Sequence, residues 1–249
     1  MSKPINLYIS PHLIPEKQDW SLIFPKPTVL FSDIYKNKTH APKDLGYMSC
    51  PSVRSKFKKI LTFSNALDFS YEYDFSSEEP YIKNTTDTYV TIHQIRDNGI
   101  EQRPTIWFAY GYIMFADEPL IVNFTSPYFD KPQYTNYGSV VPGSFDVGKW
   151  FRPLNFEIQL WNPKGDIKFV DKEPLFYAEL QTDRKVNVHI FDHTEKIERL
   201  SLACVKSTEM FGNGQTLLSR YNKFKNAGLR EKILAQIKNN IVEENFLTI

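Results

Sequence analysis

The run ALDFSYEYDF (66–75) alternates without a break: Leu67, Phe69, Tyr71, Tyr73 and Phe75 are separated by Asp68, Ser70, Glu72 and Asp74. A period of two places all five large side chains on one face of a pleated strand and the polar ones on the other. Similar short runs follow at TYVTIHQI (88–95), LIVNFT (120–125), FEIQLW (156–161), DIKFV (166–170), LFYAELQ (175–181) and KVNVHIF (185–191). Turn residues separate them, among them Asp97-Asn98-Gly99, and no amphipathic helices alternate with them. This spacing predicts a mostly β protein, an antiparallel sandwich or jelly roll, rather than an α/β fold. IWFAYGYIMFAD (106–117) is apolar at both parities and reads as one central strand covered on both faces, with Gly111 marking a bulge.

Around this core (57–191) the sequence predicts two flanking segments. Residues 1–56 read as an extended arm wrapped around the body. INLYIS (5–10) and PTVLF (27–31) are strand-like there, and Pro11, Pro15, Pro25 and Pro27 confine the arm to edges and turns. Residues 192–249 read as a short helical tail packed on the core. Asp192 and Glu195 have capping-box spacing ahead of Ile197, Leu200 and Cys204. GNG (212–214) breaks the run, a second helix carries Leu217, Leu218, Tyr221 and Phe224, and Gly228 interrupts again. Leu229, Ile233, Ile237 and Ile241 form the stripe of a last helix. FADEPLIVNF (115–124) and FVDKEPLFYAEL (169–180) echo each other, which two similar turns explain.

Composition narrows the function classes. The net charge of +1 over 249 residues gives no global field for nucleic acid or an anionic surface. The basic tail (Arg220, Lys223, Lys225, Arg230, Lys232, Lys238) is followed by Glu243 and Glu244 and reads as a solvated helix face. Two cysteines, Cys50 and Cys204, supply neither a disulfide framework nor a Cys-rich zinc site. The start has no apolar core of signal-peptide length and no window is apolar enough to cross a membrane, so a reducing, non-secreted location is expected. The sequons at Asn37, Asn84 and Asn123 then carry no meaning.

No motif specifies catalysis. Gly-x-Ser-x-Gly, the P-loop, the dinucleotide fingerprint, His-x-Asp and His-x-His are all absent. No cofactor is implied and no catalytic residue is assigned. His189 and His193 invite a metal reading, but they straddle a predicted strand end and helix cap, where their side chains diverge, and capping and surface roles explain them without a metal. Asp68, Glu72 and Asp74 share one strand face, as the solvent side of such a strand requires. Cys50 has no basic neighbours that would lower its pKa.

The richest unassigned stretch is SPYFDKPQYTNYGSVVPGSFDVGKWFRPL (126–154). It reads as a long loop whose rings and basic groups, Tyr134, Tyr137, Phe145, Lys149, Trp150, Phe151 and Arg152, are of the kinds that dominate protein interfaces. The alternative is that the rings cap one open end of the sandwich.

Four runs together, CPSVRSKFKKILTFSNALDFSYEYDF, YGYIMFADEPL, YFDKPQYTNYGSVVPGSFDVGKWFRPLNFEIQLW and EPLFYAELQTDRKV, resemble an uncharacterised protein family of tailed bacteriophages, many of them marine. The likeness spans about Cys50 to Val186 and is most specific at PGSFDVGKWFRP (142–153). No activity is established for that family, so the resemblance carries no catalytic residue. It implies a viral origin, life in the cytoplasm of a bacterial host and a place in the virion. The expectation is therefore a structural or assembly protein that uses the aromatic loop 126–154 and the helical tail to contact copies of itself or other virion subunits. The alternative is a jelly-roll enzyme or small-molecule or metal-binding accessory protein of infected cells.

Overall fold

The computed structural model describes residues 3–11, 24–36, 46–86, 92–97, 104–108, 111–154, 157–205 and 217–249. The turn at 98–99, the GNG break, most of 12–45 and the start of the 88–95 run lie outside these residues.

Two five-stranded sheets dominate. The first has the order β12-β8-β1-β16-β17, built from β1 (Ile5–Pro11), β8 (Tyr112–Ala116), β12 (Pro153–Leu154), β16 (Val186–Phe191) and β17 (Ile241–Thr248). The second has the order β11-β9-β15-β3-β2, built from β2 (Thr28–Val29), β3 (Ile60–Ser64), β9 (Ile121–Thr125), β11 (Gly143–Asp146) and β15 (Pro174–Gln181). Two smaller sheets complete the body. One is β14-β4-β5, from β4 (Phe69–Asp74), β5 (Tyr81–Asn84) and β14 (Lys164–Phe169). The other is β10-β13-β7-β6, from β6 (Ile92–Asp97), β7 (Pro104–Phe108), β10 (Gly138–Val140) and β13 (Glu157–Leu160). Among the described strands every pairing is antiparallel except β1 with β16. The mostly β, sandwich-like class is therefore correct.

One core joins all four sheets. Leu7, Met114, Leu61, Phe63, Val122, Phe176, Tyr71, Phe169, Ile106 and Ile158 all belong to it. Tyr112 of the first large sheet meets Phe63 and Phe176 of the second at ring distances of 4.6 and 6.5 Å. Each fully buried ring of this kind stabilises by about 2–3 kcal/mol.

The outer faces of both large sheets are also covered. Tyr8, Ile113, Phe115 and Phe191 pack beneath α3 (Glu195–Val205), α4 (Leu217–Asn226) and α5 (Leu229–Asn239). Ile60 and Tyr177 pack beneath α1 (Leu30–Lys36) and α2 (Pro51–Lys58), with Leu30, Ile34 and Phe57. This double cover explains why β8 is buried at every position. By contrast β4 alternates buried and half-buried, as its sequence predicts.

Several expectations change. Residues 106–117 form two strands in different sheets, β7 and β8, not one. The first segment does not merely wrap the outside: β1 lies at the centre of its sheet, between β8 and β16, with Pro11 only at its end. Residues 30–36 and 51–58 are helical, Pro51 occupying the first turn where its missing N–H costs nothing. The cap of α3 is Thr194, whose hydroxyl accepts the Ile197 N–H at 3.4 Å, rather than Asp192. The last helix stops at Asn239, and Ile241 opens an edge strand antiparallel to β16. Gly228, at φ 63°, makes the predicted break between α4 and α5.

Candidate functional site

The 126–154 segment is not structureless. It holds a 3-10 turn at Gln133–Asn136 and the strands β10, β11 and β12. Tyr134 is 1% exposed and donates its hydroxyl to the Leu175 carbonyl at 2.5 Å. Burial pushes that hydroxyl's pKa well above the usual tyrosine value. Phe151 is fully buried, edge-on to Phe115 at 5.3 Å and stacked on His193 at 6.2 Å. These two rings are interior anchors, which takes them out of any contact surface. Tyr137 and Phe145 are half-buried against the core and Trp150 against the helical layer. Lys149 is exposed and Arg152 half-exposed.

The turn after β11 is locked from several sides. Asp146, itself buried, accepts the N–H groups of Leu120 and Gly148 on Oδ1 and pairs with Lys149 through Oδ2 at 3.0 Å. Val147 donates its N–H to Leu120 and accepts that of Ala116. Gly148 lies against the Glu118 carbonyl so closely that no side chain fits. Arg230 of α5 then donates to the carbonyls of Gly148 (2.8 Å), Ala116 (3.1 Å) and Asp117 (2.9 Å), its guanidinium 5.5 Å from the Phe115 ring. A cleft of about 520 Å³ opens beside this clamp, lined by Glu118, Asp146, Lys149, Trp150, Lys225 and Arg230 among others. The PGSFDVGKWFRP stretch is therefore a buttress between the first sheet and the helices.

A second cleft, of about 370 Å³, lies between α1 and the β2–β3 end of the second sheet. Thr28, Asp33, Thr62, Ser64, Phe129 and Asp130 line it, with Lys172 at one side. Above it, Phe129 packs edge-on to Phe57 (5.3 Å) and Tyr47 (6.0 Å). Tyr47 is 46% and Tyr128 53% exposed, and Lys56 reaches over the Tyr128 ring. None of Tyr47, Tyr128, Thr28 or Thr62 was singled out by the sequence. Tyr128 and Phe129 were noticed only as part of the aromatic run.

The two candidate metal histidines serve different partners. His189 Nδ1 accepts the Asn245 N–H at 3.2 Å, so its proton is on Nε2, which donates to Asn6 Oδ1 at 3.1 Å. Asn6 in turn donates to Asp117 at 2.7 Å. His193 donates to Glu198 at 2.7 Å. Among the described residues no group of three or more His, Cys, Asp or Glu side chains could hold a metal ion. Burial lowers the His189 pKa below 6.5, against the weaker opposing pull of Glu244 and Asp117. The unfolded chain therefore takes up this proton first as pH falls. His189 contributes stability that is complete above about pH 6.5 and declines as pH drops towards the folded-state value. Urea midpoints measured from pH 7.5 to 5 are expected to fall more steeply for the wild type than for His189→Gln; parallel curves would refute the assignment.

Cys50 also departs from expectation. It precedes α2, is exposed, and the Val53 and Ser52 N–H groups hold its pKa below the usual thiol value. No helix among the described residues is long and apolar enough to cross a membrane. Comparison with family models, curated proteins and solved structures finds no match.

Proposed function

We propose that the protein is a structural or assembly subunit, phage-encoded as the sequence resemblance implies, that works through contacts between copies of itself. The observation that carries this reading is the exposed corner formed by Tyr47 and Tyr128 beside α2. Arg54 and Lys58 of α2 reach over Phe31, and Lys56 reaches over Tyr128 while pairing with Glu179 at 3.6 Å, so the positive charge there rests on Arg54 and Lys58. Exposed tyrosines with an arginine nearby are of the residue types enriched at interface centres. A second exposed patch lies on the β4–β5 hairpin. Tyr81 donates to Glu72 at 2.7 Å there, and the carboxylates of Asp74, Glu78, Glu79 and Asp166 stand beside ammonium groups, Lys83 lying opposite Glu72 and Lys164 opposite Asp74. Two different patches that meet make a head-to-tail contact, which propagates into rings or filaments.

The basic tail does not favour nucleic acid as a partner, since one of its cations, Arg230, is committed to three backbone carbonyls. The small-molecule alternative is favoured by one observation, the cleft under α1.

Light scattering over a concentration series tests the assembly reading. Association that weakens with salt, and by about 30-fold in Tyr47→Ala/Tyr128→Ala, is expected. A monomer at every concentration, or an oligomer indifferent to both changes, overturns it. Recovery of the protein from purified virus particles is the matching expectation for its place in the virion.

A further inference from the structure

The last strand is held to its sheet by an imidazole at the point where its pairing is irregular. Among the described strands β17 is an edge of the first sheet and pairs with β16. Backbone bonds fix its two ends. Val186 and Ile249 exchange N–H groups at 2.8 and 2.9 Å, and Asp192 donates its N–H to the Asn240 carbonyl at 3.0 Å. Between them the register slips. Leu247 lies opposite Val188 and Glu243 opposite Ile190, so Glu244, Asn245 and Phe246 stand against the single residue His189. Asn245 absorbs the extra length with a φ of 50°, in the left-handed region. Its N–H goes to the ring of His189, which is 5% exposed.

A chain of hydrogen bonds decides where that ring carries its proton. Asp117 accepts the Asn6 backbone N–H on one oxygen at 2.9 Å and the Asn6 side-chain amide on the other at 2.7 Å. Asn6 Oδ1 therefore faces His189 and accepts from Nε2 at 3.1 Å. The donors all point towards the carboxylate, and the one basic atom left on the ring is Nδ1, the acceptor of the Asn245 N–H at 3.2 Å. An imidazolium has two donors and no acceptor. Protonation of His189 and its bond to Asn245 therefore exclude each other.

The surroundings set when this happens. Burial lowers the His189 pKa, against the pull of Glu244 on β17 and of Asp117 beyond the end of β8. Tyr8 of β1 stacks on the ring at 5.2 Å, and Arg230 of α5 donates to the Asp117 carbonyl. The ring takes a proton more readily once β17 has opened and water reaches it, so acid below about pH 6.5 favours the open strand.

We propose that His189 is a pH-sensitive latch on the last strand: a proton at Nδ1 expels the Asn245 N–H, frees β17 and bares β16. β16, buried at four of its six positions, then becomes an edge whose backbone groups are open to another strand. The latch belongs to the first sheet, and its test does not depend on self-association at the Tyr47–Tyr128 corner.

The test is amide hydrogen exchange of the full chain at pH 7.5 and pH 5, corrected for the intrinsic pH dependence of exchange, together with nitrogen NMR of the histidine rings. At pH 7.5 the His189 proton is expected on Nε2. At pH 5 protection of the Asn245 and Ile249 amides is expected to be about tenfold lower, with β9 and β15 of the second sheet unchanged. His189→Gln is expected to remove the difference. Glu244→Gln, at an exposed position, is expected to move the drop to lower pH, because the ring loses a charge that favours its protonation. A proton on Nδ1 at pH 7.5, protection at Asn245 that ignores pH, equal loss in both sheets, or an undiminished drop in His189→Gln each overturns the proposal.

Discussion

Gly148→Ala is expected to destabilise the protein by about 3 kcal/mol or more, although it adds a single methyl group. A Cβ there would lie 2.1 Å from the Glu118 oxygen, 2.6 Å from its carbonyl carbon and 2.7 Å from the Pro119 Cα. All three are backbone atoms, so no side-chain rotation relieves the clash. The turn must retreat, and with it the Asp146, Val147 and Arg230 bonds that tie 116–120 to 146–150. Gly46→Ala is the control, since nothing lies within 4 Å of its Cβ position. Its midpoint is expected within about 0.5 kcal/mol of wild type in chemical denaturation. Equal midpoints for the two variants would show that the close approach does not matter.

Arg230→Ala is expected to cost about 3–5 kcal/mol, the second large effect. Three carbonyl groups lose a charged donor at once, and charged hydrogen bonds are the ones whose loss is felt most. The guanidinium spreads its donors over a planar fork, with Nε on Gly148 and Nη2 on Ala116 and Asp117, a span that a single ammonium does not match. Arg230→Lys is therefore expected to recover less than half of the loss. The two positions act on one turn, so the Gly148→Ala/Arg230→Ala double variant should lose clearly less than the sum of the singles. Strict additivity in thermal and urea unfolding would mean that the clamp and the close approach are separate features.

The fold was legible where one face of a strand is open. β4 alternates because one side meets the core and the other meets water. Legibility failed where helices cover the second face. β8 is covered in this way and its run reads on into β7, since apolar residues at both parities hide the break between two sheets. The helices that provide the cover on the Ile60–Tyr177 side, α1 and α2, were missed because prolines flank them and each buries few residues. Their absence also hid the position of Cys50 at a helix start. The aromatic run 126–154 was correctly found to be unusual, but ring content does not reveal which rings point inward. Tyr134 and Phe151 turn in, whereas Tyr128 turns out. That Thr28, Thr62, Tyr177 and Thr125 lie opposite one another on neighbouring strands had no local signal at all, because these are ordinary strand residues until register aligns them.

The central place of β1 also sets a timetable for making the protein. Asn6 and its hydrogen-bond partner His189 are 183 positions apart. At about 5–20 residues per second, β1 leaves the ribosome about 10–40 s before the strand it must lie beside. For that interval INLYISP, buried at five of its seven positions in the finished sheet, has no native parallel neighbour. Closure of the first sheet is thus a late event, and the newly made chain has a window in which a chaperone or a wrong β partner competes for β1.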